Sequence, residues 1–340
     1  MTLQSATNLH DLSTLFPLPI DHAGLQTFSD TTLVAGIPIN LAGFAMDLDG
    51  ECITGSAAAL DETPLFRAYM ELVERLSILA SMRSGRPIIL RDAEGVRVGL
   101  APASNVFPES PEPARWKWAR SNGVAVARTW VEAAKRARWE LIERDRVLRS
   151  FYGEAVPRRV SDVEQMPGAL SGEYDFRTYA FDGRVSDGVH AAGVFGFPRA
   201  GGPLVYGFGA RATLDEAVAA ARGECMQRLG FLFGEAMPEA APAPSPTPDF
   251  HQEHFLYPGH HGTVRRWLAG EHEKYRGCLN ESYARPPEEP LFADLTPASL
   301  EGRLCVARAI PNGHLPLAFG VGLPVLSPSA PAELAVHPIA

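Results

Sequence analysis

The chain of 340 residues has only four cysteines, Cys52, Cys225, Cys278 and Cys305, and no two of them form a C-x-x-C pair. That spacing argues against a disulfide framework, a zinc knuckle or a thiol redox motif, and the four read as reduced, buried, small hydrophobic residues. No apolar run approaches the roughly 18 residues of a membrane span. The N-terminal stretch MTLQSATNLHDLSTLFPLPIDHAG lacks a basic start followed by an apolar core, so the reading is non-membrane and cytoplasmic. Cations are in deficit, 31 Lys and Arg against 40 Asp and Glu for a net charge of -9. With no basic run to meet a phosphate backbone, nucleic acid is not an expected partner. The G-x-x-x-x-G-K-[ST] of a P-loop is missing as well.

What is present is an ordinary globular composition, 46% hydrophobic and 21% charged, long enough to bury a large core as one domain or two. Strand-like runs, RPIIL, GVRVGL, FRTYAF, GVHAAGVFGFP and PLVYGFG, alternate with long helical patterns, and mixed α and β is the expectation. The one sharp change of composition is AMPEAAPAPSPTPDF, residues 236–250, read as a Pro- and Ala-rich loop. Beyond it, LEGRLCVARAI and HLPLAFGVGLPVL read as further strands.

One pentapeptide is written almost twice, ELVER from Glu71 and ELIER from Glu140, with a weaker third copy, ECMQR from Glu224. Each follows a glycine at nearly the same separation: Gly55, Gly123 and Gly209. The repeated unit is an extended segment, a Gly-containing turn, and a helix carrying Glu-x-x-(Glu or Gln)-Arg. Helix starts are signalled by LDETP before Leu65, and by capping boxes at Thr129 with Glu132 and Thr213 with Glu216.

On the helix of the second copy, Glu132, Glu140 and Glu143 share one arc beside Ala133, Ala137, Val147 and Phe151, while Lys135, Arg138, Arg146 and Arg149 lie opposite. If the cationic face meets water, the acids are turned inward, where carboxylates require partners. Arg75 and Arg144 neutralise one acid each, which leaves a cation missing. Mg²⁺ takes oxygen ligands from a few carboxylates together with nucleotide phosphates. Convergence of three such helices would place Glu71, Glu74, Glu132, Glu140, Glu143 and Glu224 around Mg²⁺. The first helix taken alone, with Glu71, Glu74, Arg67 and Arg75 opposite its apolar stripe, reads as facing solvent.

The stretch SNGVAVARTWVEAAKRARWELIERDR resembles the signature of the YcaO family. LFRAYMELVERLS and GFGARATLDEAVAAARGECMQR are similar to that family's first and third glutamate helices, and PDFHQEHFLYPGHHGTVRRWL and CVARAIPNGHLPLAFGVGLPVL to its C-terminal half. The resemblance spans nearly the whole chain. It implies a single α+β domain over residues 1–340, with mixed sheets and glutamate-bearing helices around a central nucleotide site. It also implies ATP and Mg²⁺ as cofactors, with Glu71, Glu74, Glu140, Glu143 and Glu224 on the metal, Arg144 on phosphate, and Glu132 and Gln227 lining the pocket. Three positions depart from the family pattern, Arg67 for Ser, Ala127-Arg128 for Gly-Asn and Ala220 for Arg; Arg67 and Arg128 are expected to supply guanidinium donors to the nucleotide instead. The ending HPIA keeps one proline of a Pro-x-Pro-x-Pro tail, which makes His337 and Ala340 further catalytic candidates.

The activity implied is that of an ATP-dependent cyclodehydratase making thiazolines or oxazolines from Cys, Ser or Thr of a ribosomally made precursor peptide by backbone amide phosphorylation. The length leaves no room for a fused leader-binding domain, so a separate E1-like, leader-binding partner is expected, with a flavin dehydrogenase as a further member of the complex. Thioamide or amidine formation and a non-catalytic scaffold are the alternatives. A dinucleotide turn in YGFGARA lacks the downstream acid that ribose recognition needs, and His251, His254, His260 and His261 read as solvated or locally bonded rather than as zinc ligands.

Overall fold

A computed structural model describes residues 9–20, 24–110, 114–163, 165–181, 187–283 and 287–339. The chain opens with α1 (Leu9–Leu15) and the meander β1 (Gln26–Val34), β2 (Ile37–Leu48) and β3 (Glu51–Ala59), then α2 (Leu65–Arg83). Both hairpins of the meander turn through two residues at positive φ, Ala35-Gly36 and Asp49-Gly50, whose twist matches that of paired strands. Next come β4 (Ile88–Arg91), β5 (Arg97–Ala101), the short α3 (Ala103–Val106), β6 (Trp116–Trp118), β7 (Val124–Ala127) and α4 (Trp130–Phe151). Then follow β8 (Arg158–Val160), β9 (Tyr174–Ala180), β10 (His190–Pro198), β11 (Val205–Arg211) and α5 (Leu214–Leu232). The C-terminal part holds α6 (Pro248–Leu256), α7 (His261–Leu268), β12 (Phe292–Asp294), β13 (Cys305–Ala309) and β14 (Ala318–Gly320). This is the mixed α and β architecture expected, in several small sheets.

The strand orders explain what the repeat is for. They are β1-β2-β3, β11-β10-β9-β8, β5-β4-β12-β13-β7 and β14-β6. The three strands that lead directly into the three glutamate helices, β3, β7 and β11, each end a sheet. An edge strand leaves N–H groups without a ladder partner, and the helix that follows lies against that edge. Close approach is possible because a glycine faces the helix backbone: a Cβ on Gly55 would overlap Ala68 O and Leu72 N, and one on Gly207 would overlap Ala221 O and Cys225 N. Gly123, with φ of +68°, faces Ala137 O and Leu141 Cβ. The equivalent glycine of the third copy is therefore Gly207 rather than Gly209, since Ala68, Ala137 and Ala221 each stand three residues before the glutamate of their copy.

Thr129 and Thr213 cap α4 and α5 by accepting the N–H of Glu132 and Glu216 at 3.4 and 3.3 Å. Helix α2 starts after Pro64 with no side-chain cap. Ala133, Ala137 and Leu141 of α4 meet Ala125, Ala127, Ala307 and Ala309 of the sheet, and small residues on both sides let helix and strands close up. Its C-terminal half enters the largest core, where the Trp267 ring stacks on Phe181 at 5.4 Å and its Nε1 donates to Ser150 Oγ at 3.0 Å.

Several expectations need correction. Of the cationic side of α4 only Lys135 meets open water: Arg146 is 7% exposed and bound to Asp187 at 2.6 Å, Arg149 pairs with Asp145 at 2.9 Å, and Arg138 with Glu289 at 2.7 Å. Asp187 and Glu289 reach the helix from distant segments that its own periodicity does not show, while Asp145 stands one turn earlier on α4 itself. The loop over 236–250 ends at Thr247, which caps α6 from Phe250 N at 3.2 Å, with Pro248 in the first turn where its missing N–H costs nothing. All four cysteines are free, but only Cys225 is buried, and Cys52 is exposed. Among the described residues, no helix is long and apolar enough to cross a membrane.

Candidate active site

The three edge-strand and helix units wall a cavity of about 1020 Å³. Glu71, Glu74, Glu140 and Glu224 line it, as do Arg75, Arg144, Gln227, Arg228, Tyr206, Lys117 and Arg120. In each unit a glutamate reaches over the glycine to an N–H at the sheet edge. Glu71 accepts from Ser56 N at 2.8 Å and Glu224 from Phe208 N at 2.9 Å. Gly123 N–H serves Glu140, and Val126 N–H serves Glu74. The arginine four residues on recurs too, as Arg75, Arg144 and Arg228. Gln227 joins two units by donating to Ser56 O at 3.2 Å. On the face of α2 opposite its apolar stripe, Glu71, Glu74 and Arg75 therefore border this cavity, and only Arg67 turns to solvent.

Charge balance in the cavity is uneven. Burial pushes Glu140 up to about 7, with Glu224 adding to the rise and Arg144 opposing it. Glu143 rises to about 8 through burial, against Arg144, with Glu224 and Glu140 adding to it. Glu74 lies well above the usual carboxylate range through burial, then through Glu140 and Glu71. Burial alone would lower Arg144, but Glu143, Glu224 and Glu140 more than offset it. Arg144 Nε stands 3.6 Å from Glu143 and 4.0 Å from Glu140, too far for a hydrogen bond, and has no hydrogen-bond partner among the described residues. Arg144 thus faces three acids with only smaller help from Arg308 at Glu140 and Arg211 at Glu143, and an added cation would relieve the remainder.

Donors are left open as well. Arg228 Nε and Tyr206 Oη lack partners among the described residues, and the Arg228 guanidinium lies 4.0 Å from the Tyr206 ring centroid. Acceptors for a cation and donors for anionic oxygens therefore line one cavity, the donor set that Mg²⁺ with a triphosphate requires. Among the described residues, no three His, Cys, Asp or Glu side chains form a ready-made metal cage.

Not every candidate reaches this wall. Glu132 lies two turns, about 12 Å along the axis, before Glu140 and is held below the usual carboxylate range by hydrogen bonds to Lys135 and Arg136, at 2.8 Å each. Arg67 is exposed and donates to Ala58 O at 2.7 Å; Arg128 is exposed at the end of β7. The structure brings none of the three to the cavity. His337 is fully buried just behind the wall, with Nε2 at 2.8 Å from Ala318 O, and Ile339 lines the cavity. Ala340 lies outside the described residues. Sequence reasoning missed Tyr206, Lys117, Arg120 and Arg228; for Arg228 the signal was present, since it holds the place of Arg75 and Arg144 in its copy. The histidines after the loop make local contacts: His254 and His260 stack at 3.8 Å, and His251 Nδ1 stands 3.1 Å from His337 O.

A family model described as YcaO cyclodehydratase, ATP- and Mg²⁺-binding, matches residues 88–311, more than half the chain. Glu71 and Glu74 precede that stretch. No curated protein matches the sequence. Among solved structures, YcaO from Methanopyrus kandleri bound with AMPPCP and Mg²⁺ is 17% identical with a TM-score of 0.56, over 84% of each chain. A heterocyclase in complex with substrate and cofactor is 18% identical with a TM-score of 0.52, over 86% of this chain and 49% of that one. The E. coli microcin synthetase McbBCD complex matches at 11% identity and a TM-score of 0.53, over 92% of this chain and 96% of that one. At such identities the likeness shows the fold.

Proposed function

Because the chain belongs to the YcaO family, we propose that it is an ATP- and Mg²⁺-dependent cyclodehydratase subunit that activates the backbone amides of a ribosomally made precursor peptide and closes Cys, Ser or Thr residues into azolines. The observation that carries this reading is the cavity where three edge-strand and helix units deliver Glu71, Glu140 and Glu224 beside the additional acid Glu74, whereas Glu143, expected on the metal, is not part of its lining. Bound MgATP supplies the phosphoryl group that turns an amide oxygen into a leaving group.

The chain's own part is binding and orientation. Glu74, Glu140 and Glu224 offer carboxylate oxygens to Mg²⁺, while Glu71, tied to Arg75 at 2.6 Å and to Ser56 N, holds the first unit in register. Glu143 lies behind them and keeps Arg144 turned toward the cavity. Arg144 and Arg228 hold phosphate oxygens through N–H groups that need no rearrangement, which is where electrostatic assistance is most effective. Gln227, braced on Ser56 O, lines the nucleotide pocket. His337 fixes the segment leading to Ile339 against β14, where it closes one wall. A separate leader-binding, E1-like partner brings the precursor peptide, and a flavin dehydrogenase oxidises the rings.

Calorimetry with Mg²⁺-AMPPCP on the isolated chain tests the nucleotide reading. Saturable binding that disappears with EDTA and in Glu140→Gln is expected, and equal heats in Glu140→Gln and the wild type would overturn it. Product mass separates ring closure, a loss of water, from thioamide formation.

A further inference from the structure

Beside the nucleotide cavity lies a second one of about 290 Å³, lined by Met82, Phe107, Trp118 and Arg308 and sharing Lys117, Trp118, Ala119 and Arg120 with its neighbour. Arg308 is out of place. It stands on β13 between Val306 and Ile310 on the strand face that packs against Ile78, Val106 and Phe107, where alternation calls for an apolar side chain. It is 5% exposed, lies 4.5 Å from the Phe107 ring centroid, and gives Nη1 to Arg120 O. Its Nε has no partner among the described residues. Burial holds the guanidinium down at about 10, and the acid acting on it is Glu140, on the wall of the main cavity. A buried cation without a paired carboxylate is costly, so this arginine is kept for something that arrives.

We infer that this side cavity is the subsite for the peptide residue that precedes the Cys, Ser or Thr being closed, its side chain against Met82, Phe107 and Trp118 and its backbone carbonyl oxygen, the one to be activated, on Arg308. The inference rests on the proposed function and adds where the amide sits. A phosphoryl group is the other oxygen that Arg308 could hold. Phosphate, however, recruits forks of donors, and the main cavity already offers Arg144 and Arg228, whereas Arg308 has part of its fork committed to Arg120 O. The walls Met82, Phe107 and Trp118 suit an amino-acid side chain, and Glu109 on the same lining disfavours a triphosphate there. Placed there, the carbonyl stands next to the Lys117–Arg120 segment that the two cavities share, on the arginine that feels Glu140 of the main cavity.

The probe is the blocked dipeptide N-acetyl-leucyl-cysteinamide, titrated into the chain loaded with Mg²⁺-AMPPCP and followed by NMR of isotope-labelled tryptophan side chains, the Trp118 signal being assigned with Trp118→Phe. Arg308→Met removes the charge and keeps the volume, so thermal unfolding is expected at or above the wild-type temperature. Met82→Trp fills the cavity and leaves Arg308 untouched. A saturable shift of Trp118 is expected in the wild type, with affinity about tenfold weaker in Arg308→Met and lost in Met82→Trp, while both variants bind Mg²⁺-AMPPCP as the wild type does. The proposal falls if the wild type shows no Trp118 shift at millimolar dipeptide, or if Arg308→Met binds the dipeptide equally well. It also falls if Arg308→Met weakens the nucleotide instead, which would assign the oxygen to phosphate. Failure of the wild type to bind Mg²⁺-AMPPCP at all would count against the proposed function, a result read separately from the dipeptide titration.

Discussion

Glu132 and Glu140 lie on one face of the same helix, two turns apart, and their surroundings drive them in opposite directions. Hydrogen bonds to Lys135 and Arg136 hold Glu132 below the usual carboxylate range; burial lifts Glu140 to about 7. Beside Glu132 stand water and two cations, and beside Glu140 a sheet edge with Gly123 and further acids. Helical periodicity gives a side chain its direction around the axis, but its depth depends on what the helix packs against. Here depth comes from an edge strand whose glycine admits the helix backbone.

The contrast can be broken by substitution. Glu140→Gln should weaken Mg²⁺-AMPPCP by ~4 kcal/mol, on the order of a thousandfold, measured by calorimetry. Gly207→Ala, whose Cβ would overlap Ala221 O and Cys225 N, should destabilise the fold by ~3 kcal/mol, read from denaturant unfolding.

A pH titration sharpens the same contrast. The folded values of Glu140 and Glu143, about 7 and about 8, lie above the ordinary carboxylate value, so Glu140 holds a proton that a bound cation must displace and Glu143 behind it feels the same added charge. Affinity for Mg²⁺-AMPPCP should therefore climb by about tenfold as pH rises through that window, with proton release seen in buffers of different ionisation enthalpy. Without the cation, the sign for stability is opposite. Raised folded values mean that the native state binds more protons than the unfolded chain, so their contribution is present at low pH and is lost as pH rises through about 7 to about 8, lowering the unfolding temperature.

Two controls have the smallest effects. Gly223→Ala, with open space around it inside α5, should stabilise the fold by ~1 kcal/mol. Glu132→Gln should cost at most ~0.5 kcal/mol of stability, since its pairs are surface pairs, and should leave nucleotide affinity unchanged.

The strands around Ile89, Val98, Thr178, Val194 and Phe208 and the caps at Thr129 and Thr213 were legible in the sequence because they rest on local chemistry. The glutamates were legible because the pentapeptide repeats. What could not be read depends on contacts between distant segments. Arg146 looks like part of a solvated face until Asp187 is placed beside it, and Arg149 with Asp145 looks like a surface pair until the depth of the helix is known. Gly209 lies at nearly the right separation from Glu224, yet Gly207 faces the helix at the level of the glutamate. Arg308 looks like an ordinary strand cation until its face of β13 is known to be buried.

The most direct test is a crystal of the chain grown with AMPPCP and with Mn²⁺ in place of Mg²⁺, the ion located by its anomalous signal. The expected peak lies within about 2.2 Å of carboxylate oxygens of Glu74, Glu140 or Glu224, bridged to phosphate. Nucleotide bound with no ion at these acids, or an ion elsewhere such as at His254 and His260, would contradict it.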